Sequence, residues 1–344
     1  MPLDPNTMNY MKIKRFPMVC AVISAIFVAV SASCSGAGRS GSPAEAAASA
    51  EEPMATVAVS ADSLYGFVEQ QVALGPRTPG SEGHARCVEY ITTALRRYGV
   101  DTVTVEGGKA TTWEGKQFDL KNIFAQINGD ASNRVLLLAH YDTRPWADED
   151  PDAANHSKAI DGANDGGSGV AVLLEVARVL GRQLPDSLGV DLLFVDLEDS
   201  GETGGDEDTW CLGTQQWVKN MPYTSANRPR YGILLDMVGG RDAKFHREYF
   251  SQRHASPVVD KVWSIARRSG LGERFVNSNG GGVVDDHLHI NGAGIPCIDI
   301  IENMNEHTGS FNPSWHTMDD SMQAIDRTTL RDAAQVVVNT LLNP

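Results

Sequence analysis

The sequence is poor in positive charge, and no block rich in Lys and Arg occurs in the body of the chain. Lys and Arg number 29 against 44 Asp and Glu, which gives a formal net charge of −15 at pH 7. Binding to nucleic acid requires clustered basic side chains that contact phosphates, so this deficit argues against a nucleic-acid partner. Hydrophobic residues make up 42% and charged residues 21% of the chain. That balance is typical of globular proteins and not of disordered ones.

Cysteine is also scarce, with five residues in the whole chain. Cys20 and Cys34 lie near the N-terminus, which leaves Cys87, Cys211 and Cys297 in the body. Three cysteines without a CxxC spacing exclude both a dense disulfide scaffold and a cysteine-based zinc site. One disulfide would still be compatible with the sequence, but the pattern favours buried free thiols.

The chain has no apolar run that comfortably spans a bilayer, although residues 18–30 form a shorter one. Basic side chains precede that run and small residues follow it, as in a secretory signal peptide. The segment that ends at Cys34 resembles a bacterial lipoprotein cleavage site, although Ser31 stands where an aliphatic residue is usual. We therefore expect an exported protein of the periplasm or cell envelope, attached to a membrane only by a lipid on Cys34. Ordinary signal cleavage near Cys34 is the alternative.

These features divide the chain into three parts. Residues 1–34 are predicted to be a signal peptide. Residues 35–60 are rich in Ala, Gly and Ser over most of their length and are predicted to form a flexible tether. Residues 61–344 are predicted to form a single α/β catalytic domain.

Helical periodicity and short apolar runs alternate through this third part. Residues 135–139, 190–195 and 231–235 are continuous apolar runs, as expected for strands buried on both faces. The alternation predicts a mostly parallel, twisted central sheet flanked by helices on both faces. Further strands are predicted over residues 100–106, 120–127 and 297–301. Helices are predicted over residues 62–74, 170–184, 211–220, 257–269 and 328–342, with one more capped by Ser81 and ended by Gly99.

Titratable side chains follow each of the buried strands. His140 and Asp142 follow the first, Glu198 and Asp199 the second, and Asp236 the third. In an open parallel sheet, ligands bind outside the carboxyl ends of the strands, so these side chains are expected to lie together. Neighbouring residues at a strand end point in opposite directions. One member of the Glu198-Asp199 pair can therefore bind a metal while the other acts as a general base.

Two residues elsewhere extend this group. Asp165 precedes a predicted helix, and His316 lies in a loop before the last helix. Asp165 alone could be no more than a helix cap. Two histidines and several carboxylates at one sheet edge nevertheless form a set that suits zinc. The acidic loops 145–159 and 201–209 are interpreted as solvated loops or as parts of a pocket rim.

Several short motifs occur in the order found in the zinc aminopeptidase superfamily. They are His140-Tyr141-Asp142, Asp165-Gly166-Gly167-Ser168-Gly169, Glu198-Asp199, Leu235-Asp236 and Trp315-His316-Thr317. Within that superfamily, segments 140–146 (HYDTRPW), 284–287 (VDDH) and 315–320 (WHTMDD) resemble the glutaminyl cyclases, or glutaminyl-peptide cyclotransferases. The resemblance covers roughly residues 62–342.

The resemblance implies a single zinc ion bound by Asp165, Asp199 and His316, with Glu198 as the acid/base. The animal enzymes carry Glu where Asp199 stands, which leaves a carboxylate ligand in place. The implied reaction is an acyl transfer that cyclises N-terminal glutaminyl residues to pyroglutamate and releases ammonia. The implied substrates are peptides or exported proteins with N-terminal Gln, and we expect a monomer.

The resemblance also implies roles for residues around the acid/base. Asp236 and Asp285 would form a hydrogen-bonded carboxylate pair, and Trp315 would line the substrate pocket. Trp210 is either a second pocket aromatic or a core residue of the next helix. The animal enzymes carry His where Asp299 stands, so this part of the proton network must differ here.

Two other functions are compatible with the sequence. The first is a secreted two-zinc aminopeptidase, in which Asp165 bridges the metals, Glu198 activates water, and His140 and Asp236 are second-metal ligands. The second is a non-enzymatic binding domain on the same fold. A binding domain would be expected to lack some of the metal ligands, whereas this sequence keeps all of them.

Overall fold

Helices and strands alternate along the chain in the computed structural model, which describes residues 53–100 and 102–344. The helices are α1 (Ala61–Val72), α2 (Glu82–Tyr98), α3 (Gly167–Leu180), α4 (Leu212–Trp217), α5 (Tyr249–Arg268), α6 (Asp286–Gly292) and α7 (Arg327–Leu342). The strands are β1 (Thr102–Thr111), β2 (Gln117–Ile127), β3 (Arg134–His140), β4 (Gly189–Val195), β5 (Tyr231–Leu235), β6 (Phe245–Arg247), β7 (Phe275–Asn279) and β8 (Cys297–Ile300). Every helix and strand predicted from the sequence is present.

A six-stranded sheet with the order β1-β2-β4-β3-β5-β8 forms the centre of the fold. The four strands from β4 to β8 are mutually parallel, whereas β1 and β2 form an antiparallel hairpin at one edge. The apolar run of β3 is continuous because its alternate residues face opposite sides of the sheet and both sides are buried. Leu137 packs on the face covered by α1, α2, α3, α5 and α7. Leu136 packs on the face covered by α4 and α6. The predicted fold class is therefore confirmed.

The parallel register brings the strand ends to one edge of the sheet. His140 at the end of β3 is aligned with Val195 at the end of β4. Leu138 of β3 is aligned with Leu234, which precedes the end of β5 by one residue. The residues that follow each strand therefore emerge side by side, as the sequence pattern predicted.

The structure corrects one boundary and adds three elements. Residues 53–60 were assigned to the tether, but Ala55 N–H donates to Asn343 Oδ1 at 2.9 Å, and Val57 packs against the core. The tether prediction is wrong for these residues because they pack along α7. The strands β6 and β7 and the helix α6 were not predicted, since each is short and lacks clear periodicity.

The remaining N-terminal predictions lie outside the described residues. These are the signal peptide, lipidation of Cys34 and the tether up to residue 52. No helix in the described part of the chain is long and apolar enough to cross a membrane. The three cysteines of the body are buried free thiols, as predicted.

Candidate active site

One cavity of about 380 Å³ lies at the carboxyl edge of the sheet and collects most of the predicted site residues. Its walls include Asp165, Glu198, Asp199, Trp210, Asp236, Asp285, Trp315 and His316. His140 lies beneath this surface with 1% exposure. The sequence prediction thus located the residues of a single site, although their individual roles stay predictions.

Two carboxylates brace the backbone segments that carry the site. Asp142 accepts hydrogen bonds from the backbone N–H groups of Glu198 and Asp199, at 3.1 and 3.2 Å. Asp320 does the same for Asn164 and Asp165, at 2.8 and 3.1 Å. Both braces are buried. The sequence analysis gave them no such role, because no local pattern indicates which distant N–H group a carboxylate will accept from.

The backbone is strained next to several of the site residues. Leu197, which precedes Glu198, has φ 54°, and Met237, which follows Asp236, has φ 46°. His316 itself has φ 54°. Left-handed backbone costs a non-glycine residue of order 1–3 kcal/mol, and such strain concentrates where a side chain must be aimed for function.

Asp165, Asp199 and His316 form a buried group whose ligand atoms lie within 4.8 Å of one another. His316 Nε2 is 3.2 Å from Asp199 Oδ1 and 3.6 Å from Asp165 Oδ2. Asp199 Oδ2 is buried and has no hydrogen-bond partner among the described residues. An imidazole and two carboxylates that leave an unsatisfied buried oxygen fit a zinc ion.

The pKa values within this group are strongly perturbed. Burial raises the pKa of Asp199 to about 6, and the charge of Asp165 adds to the effect. Burial opposes the charged form of His316, but Asp199 and Asp148 raise the pKa of its imidazole to about 9. The carboxylates thus repel each other and attract a cation, which is the electrostatic character of a metal site.

Arg144 connects the metal group to the adjacent loop. Its guanidinium hydrogen-bonds both carboxylate oxygens of Asp148 at 2.7 Å, and its Nη1 lies 3.5 Å from Asp199 Oδ1. Asp148 Oδ1 in turn lies 3.5 Å from His316 Nδ1. A carboxylate behind a metal-binding imidazole orients the ring and increases its basicity. Sequence reasoning missed this role for the loop 145–159.

A second buried group contains His140, Asp165 and Asp236. His140 Nε2 is 3.1 Å from Asp165 Oδ1 and 3.2 Å from Asp236 Oδ1. These are the residues that the aminopeptidase reading assigns to a second metal. In the structure the imidazole contacts both carboxylates directly.

Glu198 lies between the metal group and a set of further buried acids. Burial raises the pKa of Glu198 well above its usual value, and Asp285 and Asp199 raise it further, while His140 opposes them. Its Oε1 is 3.4 Å from Cys211 Sγ. A carboxyl group with a raised pKa inside a cavity has the properties of a general acid/base.

Asp285 lies close to two other buried carboxyl groups, those of Asp236 and Asp299. Asp285 and Asp299 offer oxygen atoms within 4.8 Å of one another, and neither oxygen of Asp299 has a hydrogen-bond partner among the described residues. Two adjacent carboxylates resist double ionisation, which favours the protonated form of at least one of them. Asp236 is close enough to raise the pKa of Asp285, after burial as the larger cause. The Asp236–Asp285 pair stays a prediction, and Asp299 is a third carboxyl beside it.

Comparison with known proteins agrees with this geometry. The profile of Peptidase family M28 matches residues 122–341. The chain belongs to Peptidase family M28. A glutaminyl cyclase of Bacteroides thetaiotaomicron, crystallised with N-acetylhistamine, is 41% identical, with a TM-score of 0.81. The match covers 84% of this chain and 100% of that one.

Two other similar proteins match this chain over the same length or less. A structure from Parabacteroides distasonis described as a Zn-dependent exopeptidase is 44% identical over 84% of this chain and 100% of that one, with a TM-score of 0.80. The glutaminyl-peptide cyclotransferase of Bos taurus is 26% identical over 76% of each chain. Within family M28, the chain therefore groups with the glutaminyl cyclases.

Aromatic side chains wall the cavity of this M28 member. Trp315 stacks on His316 with ring centroids 3.8 Å apart, and Trp210 faces the same imidazole at 6.2 Å with an interplanar angle of 11°. Of the two readings for Trp210, the structure favours the pocket aromatic, since the residue lines the cavity and precedes α4. Its ring requires glycine at position 201, where a Cβ would lie 2.0 Å from the indole.

Proposed function

We propose that this chain is a zinc-dependent glutaminyl-peptide cyclotransferase, which converts N-terminal glutaminyl residues of peptides to pyroglutamate and releases ammonia. The observation that carries the proposal is the position of Glu198. This buried acid lies beside a zinc-compatible group, in an aromatic-walled cavity, in a chain 41% identical to a glutaminyl cyclase along that protein's whole length.

Asp165, Asp199 and His316 would hold the zinc ion, and one ion per chain is proposed. When bound, zinc supplies a Lewis acid that polarises the side-chain amide carbonyl of the substrate. Arg144 and Asp148 hold two of the three ligands in orientation from behind. Asp142 and Asp320 hold the backbone of residues 198–199 and 164–165 in place.

Glu198 carries the protons in the proposed reaction. Its carboxylate takes a proton from the α-ammonium of the substrate, which frees the amine to attack the side-chain amide carbon. A carbon–nitrogen bond forms to the α-nitrogen, and the bond to the amide nitrogen breaks. Glu198 returns the proton to the departing nitrogen. The ring nitrogen then loses a second proton, which the released ammonia takes up, so the products are a pyroglutamyl peptide and ammonium.

The cavity walls promote attack within one residue. The glutamine side chain must fold back so that its amide carbon approaches its own amine. A narrow pocket between Trp210 and Trp315 restricts it to such conformations. Burial raises the pKa values of Asp236, Asp285 and Asp299, which favours protonated carboxyl groups close to Glu198.

A second candidate function is a two-zinc aminopeptidase. The group of His140, Asp165 and Asp236 favours it, because these residues could take a second ion. Two of the three similar proteins compared above are named as glutaminyl cyclases or cyclotransferases, and this favours the cyclase.

A short peptide with N-terminal Gln tests both functions. We expect the zinc-loaded chain to release one ammonia from each peptide and to leave the peptide length unchanged, as mass spectrometry would show. A matched peptide that begins with Leu should remain unaltered. Removal of the whole first residue from either peptide would instead establish the aminopeptidase.

We also propose that the chain is exported through residues 1–34 and anchored by a lipid on Cys34. The proposal is supported by the basic, apolar and small-residue order of that segment. Cys34→Ala should then move the protein from the membrane fraction to the supernatant after cell lysis. An unchanged distribution would contradict the anchor. The monomeric state stays a prediction.

A further inference from the structure

The buried thiol of Cys211 contacts the proposed acid/base. We propose that Cys211 is a positioning residue, whose S–H group donates a hydrogen bond to Glu198 and fixes the rotation of that carboxylate. Cys211 Sγ is 3.4 Å from Glu198 Oε1, and the cysteine is fully buried. The inference rests on the proposed function, since it assigns a role within the same site.

The backbone around Cys211 aims the thiol at Glu198. Cys211 adopts left-handed backbone with φ 56° and ψ 33° at the start of α4. Its N–H donates to the carbonyl oxygen of Glu198 at 3.0 Å, and the next N–H, of Leu212, donates to Leu197 at 2.9 Å. Two consecutive backbone bonds thus tie the cysteine to the segment that carries the acid/base. A left-handed cysteine costs free energy, which a packing role alone does not require.

The thiol stays protonated in this environment. Burial raises the pKa of Cys211 well above its usual value, and the charges of Asp286 and Glu198 add to the effect. A protonated thiol is a hydrogen-bond donor and a poor nucleophile. Cys211 therefore acts through Glu198 and does not itself attack the substrate.

The contact with Cys211 gives the two carboxylate oxygens of Glu198 different roles. Oε1 of Glu198 faces the thiol, and Oε2 lies 4.0 Å from His140 Nδ1. With Oε1 held, Oε2 is left for the proton transfers. Glu198, Cys211 and Asp285 offer atoms within 4.8 Å of one another, so the thiol also limits how far Glu198 can swing toward Asp285.

The other two cysteines of the body provide matched controls. Cys87 packs in the larger hydrophobic cluster, and Cys297 Sγ lies 3.7 Å from the carbonyl oxygen of Ile298. Both are as buried as Cys211. Within the described chain, Cys211 is the one cysteine that contacts a proposed catalytic carboxylate.

Steady-state kinetics separate positioning from packing. Cys211→Ala should lower kcat about ten-fold, the effect of one lost hydrogen bond to a charged group, with little change in KM or zinc content. Cys211→Ser restores a donor and should return kcat to near the wild-type value. Cys87→Ala and Cys297→Ala should keep the wild-type kcat. Equal kcat values for Cys211→Ala and the wild type would overturn the proposal.

Infrared spectroscopy tests the contact without turnover. The S–H stretching band that is lost in Cys211→Ser should shift to higher frequency in Glu198→Gln, because an amide accepts a weaker hydrogen bond than a carboxylate. A band that does not move would overturn the positioning role even if the wild type cyclises peptides. A wild type that fails to cyclise would overturn the proposed function and leave the infrared result to decide the contact.

Discussion

Glu198→Gln is expected to reduce kcat by roughly 10²- to 10⁴-fold, the usual contribution of a positioned acid/base. The amide has nearly the shape of the carboxylic acid but cannot accept a proton from the substrate ammonium. The proposed zinc ligands are unchanged, so zinc content should match that of the wild type. Ammonia release from a peptide with N-terminal Gln and zinc analysis of the same sample measure both quantities.

Asp208→Asn is a suitable control for this substitution. Asp208 is exposed, lies outside the cavity lining, and loses the same single charge when changed to the amide. Its kcat should stay at the wild-type value. Wild-type turnover by Glu198→Gln would mean that another group carries the proton, and Asp285, whose pKa is also raised by burial, would be the next candidate.

Much of the site was predictable because buried parallel strands are visible in the sequence. Each strand is a short apolar run, so the position of its carboxyl end can be read directly, and Glu198, Asp199 and Asp236 follow such ends. Their convergence then follows from the parallel register. No separate information about side-chain contacts was needed for these three residues.

Asp285 illustrates what the strand pattern cannot supply. It caps α6, a helix of seven residues without apolar periodicity, and only the resemblance to glutaminyl cyclases pointed to it. Asp299 lies within β8, where Ile298 and Ile300 face the larger cluster and leave the acid on the side of α6. A single polar residue in a buried strand does not reveal what it will face.

Cys211 was predicted to be a buried free thiol, and the structure confirms this. Its burial follows from composition, but its contact with Glu198 depends on a left-handed backbone that no residue pattern indicates. Leu197, Met237 and His316 also have left-handed backbone that no residue pattern indicates. Sequence patterns report low-energy local structure, whereas this site uses strained local structure that the surrounding packing supports.

The site also contains several acidic side chains that are buried close together, which is unfavourable if all of them are charged. Glu198, Asp236, Asp285 and Asp299 are buried together, and burial raises the pKa of each. Such a cluster is tolerable only if protons or cations neutralise part of it. Under the proposed function, shared protons would neutralise the acids around Glu198, and a zinc ion would neutralise Asp165 and Asp199. The same edge of the sheet would then suit both proton transfer and metal binding.

His316→Asn is expected to abolish most zinc binding and, with it, turnover. Asn tolerates the left-handed backbone of residue 316, so the substitution removes the imidazole without adding strain. Zinc at 100 times its dissociation constant should stabilise the wild type by about 2.7 kcal/mol, because a ligand of the folded state raises the free energy of unfolding. The variant should show almost no shift of its Tm when zinc is added.

Two further histidine variants make this result specific. His246→Asn alters a half-buried histidine that contacts Ser278 and should keep both the zinc content and the zinc-dependent rise in Tm. His140→Asn alters the second group and should retain one zinc per chain if the cyclase has a single ion, but should lose one of two in an aminopeptidase. Equilibrium dialysis with zinc analysis gives these counts independently of activity. Wild-type zinc affinity in His316→Asn would refute the proposed ligand set, because Asp165 and Asp199 alone leave the ion with too few protein ligands for a tight site.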